Sequence, residues 1–152
     1  MSASSAVALP GLDLWEGPRR AAAWLATVFV NAGAAIVTNR MIQAGTAPKN
    51  IGWGVGVSAA AVGDTALQTE SAPTTAGGRT VGTESRTTVT VANDNYQAAG
   101  TVTAVSGLAI TEAGVFDAVT AGNMLLHSSF GAVNVVSGDS IAFTFGLKFV
   151  PG

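Results

Sequence analysis

The chain has 152 residues, of which 11% are charged, with a net charge of −2 and no cysteine. The length suits one domain, and because no basic stripe exists to neutralise phosphates, no nucleic-acid partner is expected. The lack of cysteine excludes disulfides and thiolate metal sites. So few charges predict that part of the surface is covered by other subunits.

Residues 1–20 are predicted to form an extended arm that serves assembly rather than the fold of its own domain. Pro10-Gly11 and Gly17-Pro18 interrupt it, so neither a long helix nor a central strand is expected there. Apolar side chains in such a segment favour contact with a partner. The candidate partner-binding residues are Leu9, Leu12, Leu14 and Trp15. A frayed terminus is the alternative.

An uncharged segment over residues 21–37 raises the question of a membrane span. It is at the short limit for a spanning helix, and Asn31 and Gly33 interrupt it. The acidic, proline-broken stretch before it is a poor export signal. We therefore predict a buried element, no membrane partner, production in the cytoplasm, and one globular domain over residues 21–152.

A helix is predicted from Ala35 to Ala44, because Gly45 suits the position after a helix end and Pro48 follows. The preceding residues 21–34 fit either a helical or a hairpin segment that leads into the domain. A short helical turn is expected at Thr65–Gln68, where the sequence fits a capping box.

The run from Ile51 to Val57 is predicted to be a strand, since its apolar residues alternate with Gly52, Gly54 and Gly56. Three glycines on one face indicate that a helix, an arm or a second backbone lies very close to that face. A phosphate-binding loop is not indicated, because these glycines lie inside the strand.

The second half of the chain alternates with a period of two, and turn residues separate its segments. The last segment has Ile141, Phe143, Phe145, Leu147 and Phe149 on one face, which predicts that this face packs against a core. The predicted strands are Arg86–Ala92, Gln97–Leu108, Ile110–Asp117, Asn123–Phe130, Val133–Val136 and Ile141–Val150. With the glycine-rich strand there are about seven, which predicts an all-β sandwich of jelly-roll type.

Ionisable residues in apolar surroundings are few, and none has a catalytic or metal-binding spacing. His127 is the single histidine, and without partners it supplies neither a zinc site nor a catalytic triad. Glu112 lies among apolar residues, so its carboxylate requires a partner, with Arg79 or Arg86 as candidates. Glu70 is a further candidate to pair with Arg86. We therefore treat Glu70, Arg86 and Glu112 as structural ion-pair residues and expect no catalytic site, cofactor or metal.

The order of these segments resembles that of structural proteins of tailed bacteriophages. The resemblance rests on the glycine-rich strand, G-D-T-A-L-Q-T-E at Gly63–Glu70, I-T-E-A-G-V-F-D-A at Ile110–Ala118, M-L-L-H-S-S-F at Met124–Phe130 and G-D-S-I-A-F-T-F at Gly138–Phe145. It covers about residues 36–150, and residues before this range match nothing in the group.

The resemblance implies a virion structural protein without enzymatic activity, of the kind that decorates or cements capsids. Such a protein would bind the major capsid protein lattice on the exterior of the virion, as a homotrimer. A phage tail or fibre component is the alternative, and a carbohydrate-binding β-sandwich is a more distant one, with Trp15, Trp24, Trp53 and Tyr96 as the aromatic residues for a sugar platform.

Overall fold

The computed structural model describes residues 2–8, 24–72 and 78–150. These residues form ten strands and one helix, α1 (Asn31–Met41). The strands are β1 (Ser2–Ala8), β2 (Trp24–Phe29), β3 (Asn50–Gly54), β4 (Glu70–Ser71), β5 (Thr80–Val81), β6 (Thr83–Thr87), β7 (Asn95–Thr103), β8 (Leu108–Phe116), β9 (Met124–Val135) and β10 (Ser140–Val150).

The fold is an all-β sandwich of two antiparallel sheets, as the alternating sequence predicted. One sheet has the order β1-β10-β7-β6, and the other has the order β2-β9-β8-β3. Strands β4 and β5 extend the second sheet by pairing with β3, and the pairing of β1 with β2 joins the two sheets along one side. The candidate functional site lies on β8, β9 and the segment that follows β3.

Large side chains from the facing strands fill the space between the sheets. Phe143 on β10 stacks on Phe145 with ring centroids 6.0 Å apart, and it meets Trp53 of β3 edge-on at 6.4 Å. Ile141, Phe143, Phe145 and Leu147 are all buried, which confirms the predicted inward face of the last strand. Phe149 is only partly buried, at the margin of this core.

The helix begins earlier than the sequence indicated. It starts at Asn31, so residues 31–34 belong to it, and it ends at Met41 rather than Ala44. Gln43 has a positive φ of 59° and Gly45 one of 70°, so the chain turns away before the predicted end. Within residues 24–34, the open choice is resolved as a strand, β2, then Val30 and the first turn of α1; residues 21–23 lie outside the described residues. No described helix is long and apolar enough to cross a membrane.

Part of the predicted arm is a strand of the sandwich. Residues 2–8 form β1, which pairs along its whole length with β10 and at its end with β2 of the same chain. The expectation that no part of the arm forms a central strand is therefore wrong for this segment, because the prolines and glycines that ruled a strand out begin only after it. Leu9, Leu12, Leu14 and Trp15 lie outside the described residues.

Three further predicted segments differ from the observed strands and turns. The segments predicted at 123–130 and 133–136 are one continuous strand, β9, with a register irregularity in its pairing to β8. The expected helical turn at Thr65–Gln68 is wrong, since these residues form turns and bends without a helix. The predicted strand at 86–92 is shifted to β6, and the chain beyond it forms a loop around Asp94.

Candidate functional site: a buried carboxylate–histidine cluster

Two ionisable side chains of neighbouring strands meet inside the protein. Glu112 of β8 and His127 of β9 are both 0% exposed, and Glu112 Oε2 lies 3.1 Å from His127 Nε2. On the other side of the ring, Asp64 Oδ2 lies 2.7 Å from His127 Nδ1. Asp64 comes from the segment between β3 and β4 (residues 55–69), which we call the apolar loop because valine and alanine are frequent in it.

The Glu112 carboxylate also accepts hydrogen bonds from the backbone of the apolar loop. Its Oε1 accepts from the amides of Gly56 at 3.1 Å and Thr69 at 2.9 Å, and its Oε2 accepts from the amide of Gln68 at 3.0 Å. With His127, four groups surround one carboxylate, which matches its number of lone pairs. The desolvation of this buried charge is thus offset by hydrogen bonds at every position.

Both ring nitrogens of His127 lie within hydrogen-bond distance of a carboxylate oxygen. A neutral imidazole carries a single N–H, whereas an imidazolium can donate from both ring nitrogens. The imidazole therefore links Asp64 to Glu112, and its tautomer determines which nitrogen donates.

Asp64 is the less buried end of the cluster, with a side chain 25% exposed. Burial raises the pKa of Asp64, but the hydrogen bond from the Ala61 amide and the hydrogen bond and charge of His127 together outweigh it. The pKa of Asp64 therefore lies below its ordinary value. The ionised carboxylate is the form that this position favours.

The glycines of the strand and its continuation make room for these carboxylates. A Cβ at Gly54 or at Gly56 would collide with Glu112 Oε1, and a Cβ at Gly52 would stand 2.7 Å from Glu70 Oε1. The prediction that another group lies close to the glycine face is confirmed. The neighbours are carboxylate side chains and the backbone of the apolar loop, rather than a helix or an arm.

A second ion pair lies beside the cluster. Arg79 binds Glu70 with two hydrogen bonds of 2.7 and 3.0 Å, and its Nη1 donates to the carbonyl oxygens of Ala118 and Ala121. Its guanidinium also lies over the ring of Phe116 at 3.3 Å. This group ties β4, β8 and the turn after β8 together.

Of the three predicted ion-pair residues, the structure places two in ion pairs. Glu70 pairs with Arg79 and Glu112 pairs with His127. The expected pairing of Arg86 with Glu70 or Glu112 is wrong, because Arg86 is exposed on β6, at the outer edge of the other sheet. His127 contacts both Asp64 and Glu112, and its structural role stays a prediction. The sequence does not indicate the contact of Asp64 with His127, because the two residues are 63 positions apart along the chain.

The hydrogen-bonding positions of the cluster are already occupied by groups of the protein itself. Both ring nitrogens of His127 and all acceptor positions of Glu112 are engaged within the protein, so neither can take a proton from a substrate without losing a structural contact. The nearby Ser129 hydroxyl accepts from the Ala60 amide at 3.0 Å. Among the described residues, no group of three or more side chains is arranged to hold a metal ion.

A separate groove of about 550 Å³ lies between α1 and the sheet that contains β6. Its apolar lining includes Ile36, Leu147 and Phe149, and Arg40 and Arg86 also line it. The Tyr96 hydroxyl donates to the Pro48 carbonyl at 3.0 Å. Burial, and with it the charge of Glu84, raises the pKa of Tyr96, so the phenol remains a neutral donor.

In comparisons with protein-family models, curated proteins and solved structures, nothing matches the chain significantly.

Proposed function

We propose that this protein is a structural component of a tailed-bacteriophage virion, and specifically a capsid decoration protein that binds and stabilises the lattice of the major capsid protein. The sequence resemblance supplies the class of protein. The sandwich supplies a rigid body, and the apolar loop supplies a surface for the lattice. No enzymatic activity and no cofactor belong to this function.

One observation carries the proposal: the buried cluster holds a loop whose apolar side chains face outward. Val57 is 91% exposed and Val62 is 60% exposed, although buried carboxylate contacts anchor the loop at both ends. The Ser58 amide donates to Gln68 Oε1 at 2.9 Å, and the Asn31 amide donates to the Val62 carbonyl at 2.8 Å. An apolar surface held in one conformation loses little entropy on binding, which suits a partner rather than a substrate.

A jelly-roll topology is part of the proposal. In that fold the first half of the chain pairs with the second half in reverse order. The pairs β1–β10, β2–β9, β3–β8 and β6–β7 are nested in this way, which supports the assignment. The pairs β7–β10 and β8–β9 then complete the two sheets.

A homotrimer on the capsid exterior is the proposed form of assembly. Contacts of modest strength, repeated over many copies, give a strong total attachment to a lattice. The low charge content of the chain supports extensive coverage by neighbours. A tail or fibre component would use the same sandwich and differs in the particle that it binds.

The carbohydrate-binding alternative loses one of its aromatic candidates. Trp53 is completely buried and so cannot stack on a sugar ring. A sugar platform that includes this indole is therefore excluded.

The test is co-sedimentation of the purified protein with empty shells and, separately, with tails of a phage that encodes it. We expect binding to shells, and we expect Val57→Lys to weaken it by on the order of tenfold or more, since a charge would be buried at the contact. Val136→Lys is the matched control, because Val136 is also exposed (63%) and lies in the turn between β9 and β10. Binding to tails alone, or equal effects of the two substitutions, would contradict the proposal.

A further inference from the structure

In the described part of the chain, strand β6 forms a free edge of its sheet. It stands last in the strand order and pairs only with β7 among the described residues. Its residues 83–86 are exposed, and Thr87 is half-buried. A free edge presents unpaired backbone groups that can accept another strand. Which strand fits depends on the side chains along this edge.

The sequence of β6 is self-complementary about its central residue. It reads T-E-S-R-T, so an antiparallel pairing of two copies with Ser85 opposite Ser85 places Glu84 of each copy opposite Arg86 of the other. The same register places Thr83 opposite Thr87. Directly opposite residues in an antiparallel pair approach to about 4.5–5.5 Å between their Cβ atoms, and opposite charges at that distance attract.

Neighbouring registers are disfavoured by the same charges. Moving the symmetry axis by one residue puts Glu84 opposite Glu84, or Arg86 opposite Arg86, and like charges directly opposite destabilise a strand pair. Edge charges often protect a sheet from pairing. Here the order of the two signs permits one register and opposes the next on either side.

The two charges have no ion-pair partner within the described part of the chain. Glu84 contacts the Tyr96 hydroxyl at 3.4 Å, and Arg86 lines the groove without a described carboxylate within ion-pair distance. The flanking valines, Val81 and Val89, are each 60% exposed.

We propose that two copies of this protein associate through antiparallel pairing of their β6 strands, about a two-fold axis at Ser85, with two reciprocal Glu84–Arg86 ion pairs. The interface is isologous, with the same patch on both subunits. It does not depend on the proposed function. In a decorated capsid, a two-fold contact of this kind would link neighbouring trimers.

A single cysteine tests the geometry, because the protein has none of its own. We expect Ser85→Cys to form a cross-linked dimer rapidly on mild oxidation or with a short bis-maleimide. Ser106→Cys is the control, since Ser106 is also exposed but lies in the turn between β7 and β8. Cross-linking of the two variants at equal rates would overturn the proposal.

Charge reversal tests the register. E84R and R86E should each weaken self-association, measured by sedimentation equilibrium, by on the order of tenfold or more. An equimolar mixture of the two should recover association, because one chain then carries two cations opposite two anions. The double variant E84R/R86E should also recover it. Unchanged association of the single variants, or no recovery in the mixture, would overturn the proposal, and thermal unfolding of each variant verifies that it is folded.

Discussion

At the scale of single residues, Glu112 makes most of the contacts that hold the site together. Its carboxylate joins two strands and the apolar loop through His127 and three backbone amides. A buried charge is stable only while its partners remain. The same saturation that makes Glu112 structurally important leaves it without a free lone pair for catalysis.

Glu112→Gln should lower the free energy of unfolding by roughly 3 kcal/mol or more, because an amide NH₂ would face backbone N–H donors and His127 would lose one of its anions. Chemical denaturation provides the measurement. Glu84→Gln is the control, at a protein concentration too low for association, and as an exposed substitution it should change stability by less than about 0.5 kcal/mol. Equal effects would mean that the cluster does not stabilise the fold.

The pH dependence of stability follows from two aspartates. Hydrogen bonds from the Val91, Val89 and Thr90 amides outweigh desolvation and, with the charge of Lys148, hold the pKa of Asp94 below its ordinary value of 3.8. The pKa of Asp64 is also lowered. A lowered folded-state pKa contributes stability that is present above the unfolded value and is lost as the pH falls through the folded one.

The contribution of these two aspartates to stability should therefore be fully present well above pH 3.8 and be lost in more acidic solution. Asp94→Asn should be less stable than the wild type at neutral pH, and the difference should shrink as the pH drops below 3.8. Thermal midpoints measured between neutral pH and about pH 2 provide the test. A difference that stays constant throughout this range would show that the Asp94 charge is not responsible.

At the scale of elements, alternation was the strongest signal in the sequence. It located β10 and its inward face, because apolar residues at every second position over about nine residues are characteristic of a strand with one buried face. Alternation failed to predict β1, which has little sequence signal of its own. This segment is a strand because it pairs with β10 and β2 on its two sides. The cluster itself escaped prediction, since its three residues come from segments that only the sheet topology brings together.

Substitutions along β10 test the core directly. Phe143→Ala and Phe145→Ala should each cost roughly 3–5 kcal/mol, because each removes a buried ring from the stack between the sheets. Thr144→Ala should cost far less, since Thr144 lies on the opposite face and is only half-buried. Denaturant titration of the three variants gives the comparison. Similar losses for all three would contradict the assignment of the inward face.

Because residues 2–8 form β1, removal of residues 1–18 should lower the stability of the fold. The deletion takes away β1, which lies between β10 and β2 and joins the two sheets. We expect a clearly lower thermal transition than that of the full chain. A deletion of residues 9–18 alone leaves β1 in place and shortens only the connection from β1 to β2. This control distinguishes the effect of losing β1 from the effect of losing the rest of the arm. If removal of residues 1–18 left the transition unchanged, the position of β1 would be wrong.

At the scale of the whole molecule, the sandwich combines a rigid interior with surfaces that suit repeated contacts. The buried cluster holds the apolar loop beside β8 and β9, and among the described residues β6 lies at the edge of the other sheet. Under the two proposals, the first surface would bind the capsid lattice and the second would bind another copy of the protein. Repetition over a shell would then turn weak contacts into a strong attachment.

Electron cryomicroscopy of empty shells incubated with the purified protein tests the capsid-binding proposal most directly. We predict additional density on the outer surface at the local three-fold axes, three copies at each, with the apolar loop facing the major capsid protein. Shells without added density at saturating protein would contradict the proposal, and so would density confined to tails.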